Sequence, residues 1–182
     1  CDEIKNREVA SYGFMTEETL ENVIKKALAF SDTSCSFTFQ GGEPCLRGVD
    51  FFKKAVQMQK KYNTKGISVS NAIQTNGISL DREWAGFLKE NHFLAGISLD
   101  GTSFTHDRFR VDAKGEGTFG RVVEGIGLLK EYGVDFNILT VVNAVTAKKI
   151  SHIYEFYKQQ DYAYLQFIPC LNPLGGEKER FP

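Results

Sequence analysis

The sequence predicts a parallel α/β fold built from repeated strand–helix units. Two observations carry this. Five segments with helical hydrophobic spacing alternate with five short strand-like runs along the 182 residues. Such alternation argues for parallel strands joined by right-handed crossovers. Glycine and polar residues also gather after the strand-like runs, at the strand ends where parallel α/β folds place their sites.

The first helix is expected from about Thr16 to Phe30, with Leu20, Val23, Ile24, Ala27 and Leu28 on one face. Thr16 suits the N-cap, and Glu17 and Glu18 favour the positive end of the helix dipole. Ser36 to Phe39 reads as the first strand and Val49 to Tyr62 as the second helix, its buried face marked by Phe52, Ala55, Val56 and Met58. Ile67 to Ile73 alternates like a strand. Asp81 is the expected cap of a helix bearing Trp84, Phe87 and Leu88, and Phe93 to Leu99 follows as a strand. Gly101 to Gly117 reads as a long polar loop. Thr118 is expected to cap a helix carrying Phe119, Val122, Val123, Ile126 and Leu129, closed by Gly133. Asp135 to Val142 reads as a buried strand. Thr146 is the expected cap of a helix with Ile150, Ile153, Tyr154 and Tyr157, and Tyr164 to Ile168 is the fifth strand.

Composition excludes several classes. Hydrophobic residues make up 42% and charged residues 25%, values of a globular chain rather than a disordered or fibrous one. Lys and Arg total 22 against 23 Asp and Glu, so nothing in the charge calls for nucleic acid or an anionic membrane as partner. No apolar run approaches the roughly 20 residues that span a bilayer. Cys1, Cys35, Cys45 and Cys170 show no CxxC spacing, and the three histidines lie far from them, so no local zinc motif is present. Scattered thiols suit a reducing compartment. The chain starts at Cys1 and stops at Pro182, and both ends read as cuts in a longer protein. A single domain over residues 1–182 is expected, with no linker to divide it.

The expected strand ends carry Gln40-Gly41-Gly42-Glu43-Pro44, Gln74-Thr75-Asn76-Gly77, Ser98-Leu99-Asp100-Gly101 with the following His106 to Arg110, Asn143, and Pro169-Cys170-Leu171-Asn172-Pro173. Each has an ordinary alternative: a tight turn at Gly41-Gly42, an Asn-Gly turn at Asn76-Gly77, a local backbone partner for Ser98 or Asp100, a surface ion pair for Arg110, a loop position for His106, packed or exposed thiols at Cys35 and Cys45. Their convergence on one rim carries the functional reading. Gly115-Glu116-Gly117-Thr118-Phe119-Gly120 matches the GxGxxG fingerprint of dinucleotide sites. That fingerprint works where glycines follow a strand directly. Here they follow a charged loop, and Asp135 starts a strand where the acidic partner should end one.

Phe39-Gln40-Gly41-Gly42-Glu43-Pro44 resembles the GGEP motif of radical S-adenosylmethionine (SAM) enzymes. Further segments resemble one branch, the anaerobic sulfatase-maturating enzymes or arylsulfatase regulators: Ser11 to Met15, Phe37 to Pro44, Gln74 to Gly77, Ile97 to Gly101, Gly117 to Phe119, Phe136 to Leu139 and Leu165 to Ile168. The resemblance covers essentially the whole chain. It implies a partial (β/α)6 radical SAM barrel with parallel strands, this chain supplying the second to sixth βα units, with the first strand missing. It implies an oxidoreductase in which a [4Fe–4S] cluster reduces SAM to give a 5′-deoxyadenosyl radical, which takes a β-hydrogen from a Cys or Ser of a sulfatase peptide and leads to Cα-formylglycine.

By the same resemblance, Gly41, Gly42 and Glu43 would hold the SAM amino group, since an ammonium offers only donors. Ser98 and Arg110 would lie near the ribose and the methionine carboxylate, which an Arg can bind through two hydrogen bonds. Leu171 would meet adenine through its backbone, and Gln40 would face the substrate peptide. The CxxxCxxC cluster motif is absent, counting back from Ser11-Tyr12-Gly13 places Cys1 beyond its last cysteine, and Cys45 stands where the family usually has Thr. No cluster ligand, and no catalytic residue, is therefore assigned in this chain. It is expected to hold no cluster and to be inactive alone. A sulfatase peptide and an electron donor such as a flavodoxin or ferredoxin are the implied partners, and the cytoplasm the implied compartment. Without a neighbouring first strand, Ser36 to Phe39 is expected to present an open edge and favour self-association. Two rivals remain: another radical SAM peptide-modifying enzyme, and a noncatalytic barrel-type binding module.

Overall fold

The structure, a computed structural model, describes residues 13–170. Their elements run α1 Glu17–Phe30, β1 Ser34–Phe39, a 3₁₀ turn Pro44–Arg47, α2 Val49–Tyr62, β2 Ser68–Thr75, α3 Arg82–Glu90, β3 Phe93–Ser98, α4 Ser103–His106, α5 Phe119–Tyr132, β4 Phe136–Val142, α6 Ala144–Lys148, α7 Ile150–Gln159 and β5 Leu165–Pro169. Every expected strand and helix is present, and the strands form one sheet in the order β1-β2-β3-β4-β5. β2–β3, β3–β4 and β4–β5 pair in parallel. The sequential order is that of βα crossovers each returning beside the last strand, a connection that parallel sheets make almost always right-handed.

Among the described residues the chain divides into two compact units. The first holds the residues up to Cys35 together with Asp50–Val69. Within it Leu20, Ile24 and Leu28 fall four apart on α1 and are buried. Glu17 and Glu21 of α1 pair with Lys54 and Lys61 of α2, and Tyr62 donates to Glu21. Thr16 caps α1, as expected, by accepting from the Thr19 N–H at 3.1 Å. Lys65 closes the other end, donating to the Ala29 and Ser31 carbonyls at 2.9 and 3.0 Å, where a cation meets the negative end of the dipole.

The second unit holds Ser36–Val49 and the residues from Ser70 onward, and with them most of the sheet. Pleating separates its two faces. The register sets Ile73 opposite Ala95 and Ile97 opposite Ile138 on one face, and all four are at most 1% exposed. α3 packs on β3 and on α5 along that side. The other face receives the side chains of Gln74, Ser98, Asn137 and Gln166, since Gln74 pairs with Gly96, Gly96 with Asn137, and Leu139 with Gln166. The Ser36 and Ser70 hydroxyls meet on this face at 2.6 Å. None of these six polar side chains is buried. One face is thus apolar, and the other carries these accessible polar groups beside the buried Leu139.

Two expected caps are corrected. Thr146 is the third residue of α6, not its cap. Asn143 is the N-cap, accepting from Val145 N and Thr146 N at 2.9 and 3.0 Å, while Thr146 Oγ1 accepts from the Asn143 N–H at 2.7 Å. This reciprocal capping box starts the short α6, and a break at Lys149 separates it from α7. Thr118 likewise makes no side-chain cap on α5. The cap comes from Asp107, whose Oδ1 accepts from the Phe119 N–H at 2.8 Å. Gly117 permits that approach: a Cβ there would lie 2.3 Å from Asp107 Cγ. The carboxylate occupies the helix N-terminus that the GxGxxG match would have offered to a pyrophosphate, which removes the dinucleotide reading on structural grounds.

Candidate functional site at the carboxyl edge of the sheet

The carboxyl ends of parallel strands lie on one edge, so the described parts of the five polar loops predicted as a rim share that edge. Gly41 and Gly42 follow β1 with φ of 107° and 56°, a pair of left-handed positions that strongly favours glycine. They turn the chain so that the Glu43 carboxylate points back at β2. Glu43 Oε1 accepts from the Thr75 hydroxyl at 2.6 Å and the Cys45 N–H at 3.0 Å, and Oε2 accepts from the Asn76 N–H at 2.7 Å. Glu43 is therefore no solvated turn residue. It fastens the β1 loop to the end of β2 and caps the 3₁₀ turn from Pro44. Beyond the Asn76 N–H, Oε2 keeps acceptor capacity toward the edge. Cys45 is packed beneath this latch at 4% exposure and donates to Thr75 Oγ1 at 3.3 Å. Burial pushes its thiol up to about 12, so it is a packing group and not a nucleophile.

Ser98 ends β3, one residue past the Thr75–Ile97 pair, and is half-buried on the polar face. Asp100 follows two residues on. Its Oδ1 accepts from the Val141 N–H at 2.7 Å, which ties β3 to β4, and its Oδ2 accepts from Arg110 Nε at 2.5 Å. Arg110 Nη2 reaches Oδ1 at 3.4 Å. The pair is built into the edge, with side-chain exposures of 5% for Asp100 and 27% for Arg110. Tyr157 of α7 braces the same strand ends from behind. Its hydroxyl donates to the Leu99 carbonyl at 2.6 Å and accepts from the Gly101 N–H at 2.8 Å, and burial pushes it up to about 12.

The sequence reads His106 as a loop position, yet it is fully buried. Its Nδ1 accepts from the Asp100 N–H at 3.1 Å, which fixes the proton on Nε2. Nε2 lies 3.0 Å from Thr118 Oγ1, and that hydroxyl donates to the Arg110 carbonyl at 3.0 Å. Burial first, and then the Arg110 charge, lower the His106 pKa to about 4. The unfolded imidazole titrates near 6.5, so the unfolded state binds the extra proton between these values. Stability attributable to His106 is therefore whole above pH 6.5 and declines as pH falls toward 4. The loss reaches about 3 kcal/mol at one pH unit per ~1.4 kcal/mol. Urea unfolding of wild type and His106→Gln at pH 7 and pH 5 checks this: the wild type is expected to lose more stability over that interval, and equal losses would refute the assignment.

Of the residues singled out in the sequence, Gln40, Gly41 and Gly42 are exposed, and Glu43, Ser98 and Arg110 are half-buried; all stand on the carboxyl edge. Leu171 lies outside the described residues, as do Cys1 and Ser11-Tyr12. Sequence reasoning missed Thr75, His106, Thr118 and Tyr157 as builders of the edge. Among the described residues no group of three metal-ligating side chains occurs.

The family model described as the radical SAM superfamily matches residues 2–157. A cysteine-type anaerobic sulfatase-maturating enzyme of Clostridium novyi is 48% identical over 181 residues, covering 100% of this chain and 48% of that protein. A serine-type anaerobic sulfatase-maturating enzyme of Bacteroides thetaiotaomicron is 40% identical over 166 residues, covering 91% of this chain and 40% of that protein. The solved structure of native anSMEcpe with bound AdoMet and Kp18Cys peptide superposes with a TM-score of 0.93 at 45% identity, over 95% of this chain and 48% of that one. The chain thus spans about half the length of the relatives it matches.

Proposed function

The chain belongs to the radical SAM superfamily, and from that premise we propose that the protein oxidises a side chain of a sulfatase peptide to Cα-formylglycine. The observation that carries the reading is the likeness along nearly the whole chain to enzymes of that name, together with an edge whose groups match the ligand. Cysteine is the favoured target, since the cysteine-type relatives stand at 46–48% identity and the serine-type ones at 35–40%.

SAM carries an ammonium, a carboxylate, ribose hydroxyls and adenine. The residues present fit it. Glu43 Oε2 and the carbonyls around Gly41-Gly42 offer acceptors to the ammonium. Arg110, its Nε edge already on Asp100, offers Nη1 to the carboxylate, and Ser98 offers a hydroxyl to the ribose. Leu171 would contribute a backbone contact to adenine. Bound SAM supplies a one-electron route to breaking a C–H bond. The chain's own work is to orient it: a partly desolvated ion pair and a preset turn hold both ends of the methionine part with little reorganisation. The described residues do not supply a cluster site, and no step is assigned to them through one. Gln40 and the polar face formed by Gln74, Asn137 and Gln166 would receive the peptide.

In this reading residues 1–182 form a single radical SAM domain, the electron donor is a small flavodoxin or ferredoxin, and the protein works in the cytoplasm. No helix among the described residues is long and apolar enough to cross a membrane. β1 ends the strand order and would offer an edge for self-association. The test is anaerobic turnover of the full-length protein with SAM, a chemical reductant and paired sulfatase peptides bearing Cys or Ser at the target position. An aldehyde trapped by hydrazide on the Cys peptide is the expected product. SAM cleavage with a different peptide modification would assign another peptide chemistry, and absence of SAM binding would leave a binding module.

A further inference from the structure

The segment from Asp100 to Thr118 closes on one buried ring. His106 Nδ1 takes the backbone N–H of Asp100, and through Thr118 its Nε2 side reaches the backbone carbonyl of Arg110. The two residues so held are the two halves of the half-buried ion pair. Every donor in the chain of bonds has one direction. The Asp100 N–H gives to Nδ1, the Nε2–H gives to Thr118 Oγ1, and the Thr118 hydroxyl gives to the Arg110 carbonyl. The result sets backbone positions at both ends of the pair independently of the salt bridge itself. Arg110 turns its Nε and Nη2 toward Asp100, and among the described residues Nη1 has no partner.

We propose that His106 and Thr118 are positioning residues that aim Arg110 Nη1 at the carboxylate of SAM. The proposal rests on the reading that Arg110 meets that carboxylate. A long, flexible Arg on a loop of exposed residues such as Arg108 and Phe109 would otherwise sample many rotamers, and a bidentate or near-bidentate contact tolerates little misplacement. Asp100 offsets the Arg110 charge, so the pair recognises an anion by directed N–H groups more than by net charge. Loss of aim is then felt by the carboxylate and by no other part of the ligand.

That asymmetry gives the experiment. In the full-length, cluster-loaded protein, dissociation constants are measured for SAM and for decarboxylated SAM, which lacks the carboxylate. Thr118→Val keeps the side chain's shape and deletes the hydroxyl. It is expected to weaken SAM about tenfold and to leave decarboxylated SAM unchanged, while Thr118→Ser restores wild-type discrimination. Equal weakening of both ligands, or of neither, overturns the proposal, because a merely structural role moves both together. Should Thr118→Val not fold, Thr118→Cys makes the same comparison with a weaker hydrogen-bonding group. Arg110→Ala separates the two layers. If it weakens SAM alone, the carboxylate reading stands and the Thr118 variants decide the positioning role. If it affects both ligands equally, the carboxylate reading has failed and the proposal with it.

Discussion

Replacing Glu43 by Ala will destabilise the fold by about 3 kcal/mol and abolish measurable SAM affinity in the full-length protein. Three donors depend on this carboxylate: the Thr75 hydroxyl and the N–H groups of Cys45 and Asn76. Hydrogen bonds to an ionised acceptor contribute roughly 1.5–3 kcal/mol each, and orphaned half-buried donors regain only part of this from water. The isosteric Gln is no rescue. Its amide oxygen can replace Oε1, but its NH₂ would then face the Asn76 N–H, setting donor against donor. Glu43→Gln should therefore lose most of the same stability, whereas Glu43→Asp keeps the charge and loses reach. Urea midpoints for the three variants, with SAM titrations beside them, provide the check. A Glu43→Ala protein as stable as wild type would refute the latch. A stable one that still binds SAM would also refute the cofactor role.

The alternation of elements was legible because each helix and strand carries its own periodic pattern, and most boundaries fell within about two residues. The last expected helix instead starts three residues earlier, after Asn143, and breaks at Lys149, and the short α4 lies inside the expected loop. What failed was whatever depends on partners far along the chain. Thr118 stands where a cap belongs, directly before Phe119, and local reasoning assigns it that role. The actual cap, Asp107, arrives from twelve residues upstream because Gly117 clears its path. Gly101 to Gly117 reads as polar loop, yet Thr105 and His106 within it are buried at 1% and 0% exposure. Their burial is settled by Thr118 and the Asp100 backbone, which no window of sequence brings together. The site followed the same rule. Gly41-Gly42-Glu43 was recognisable as a motif, and its glycines do hold left-handed turns. That the Glu43 side chain would spend two of its three bonds on the end of β2 needed the sheet order, because Thr75 lies 32 residues away. Asp100 and Arg110 were both visible as charges in one loop. Their pairing became meaningful only once the Val141 N–H was seen to donate to the other oxygen of the same carboxylate.

Gly101→Ala is expected to be the most damaging single methyl group in the described chain. Gly101 sits just after β3 at φ 86°, where an L side chain is itself disfavoured by about 1 kcal/mol. Space adds a second penalty. A Cβ would lie 2.6 Å from Ile153 Cγ1 and 2.6 Å from Thr105 Oγ1. Neither neighbour can yield cheaply, since Ile153 is 0% and Thr105 1% exposed, and Thr105 Oγ1 donates to the Asp100 carbonyl at 2.5 Å. Moving the backbone instead pulls the Gly101 N–H from Tyr157 and shifts Asp100, which carries the ion pair and the β4 contact. Overpacking in a filled core costs roughly 1–3 kcal/mol before such bonds are counted, so a total above about 4 kcal/mol is expected. Gly115→Ala is the control, because it shares the positive φ at 82° and meets nothing within 4 Å. It should cost only the conformational part, about 1 kcal/mol. Thermal unfolding of the two variants side by side separates strain from crowding. Equal shifts in Tm would show that Ile153 and Thr105 give way, and that the end of β3 is softer than its buried bonds imply.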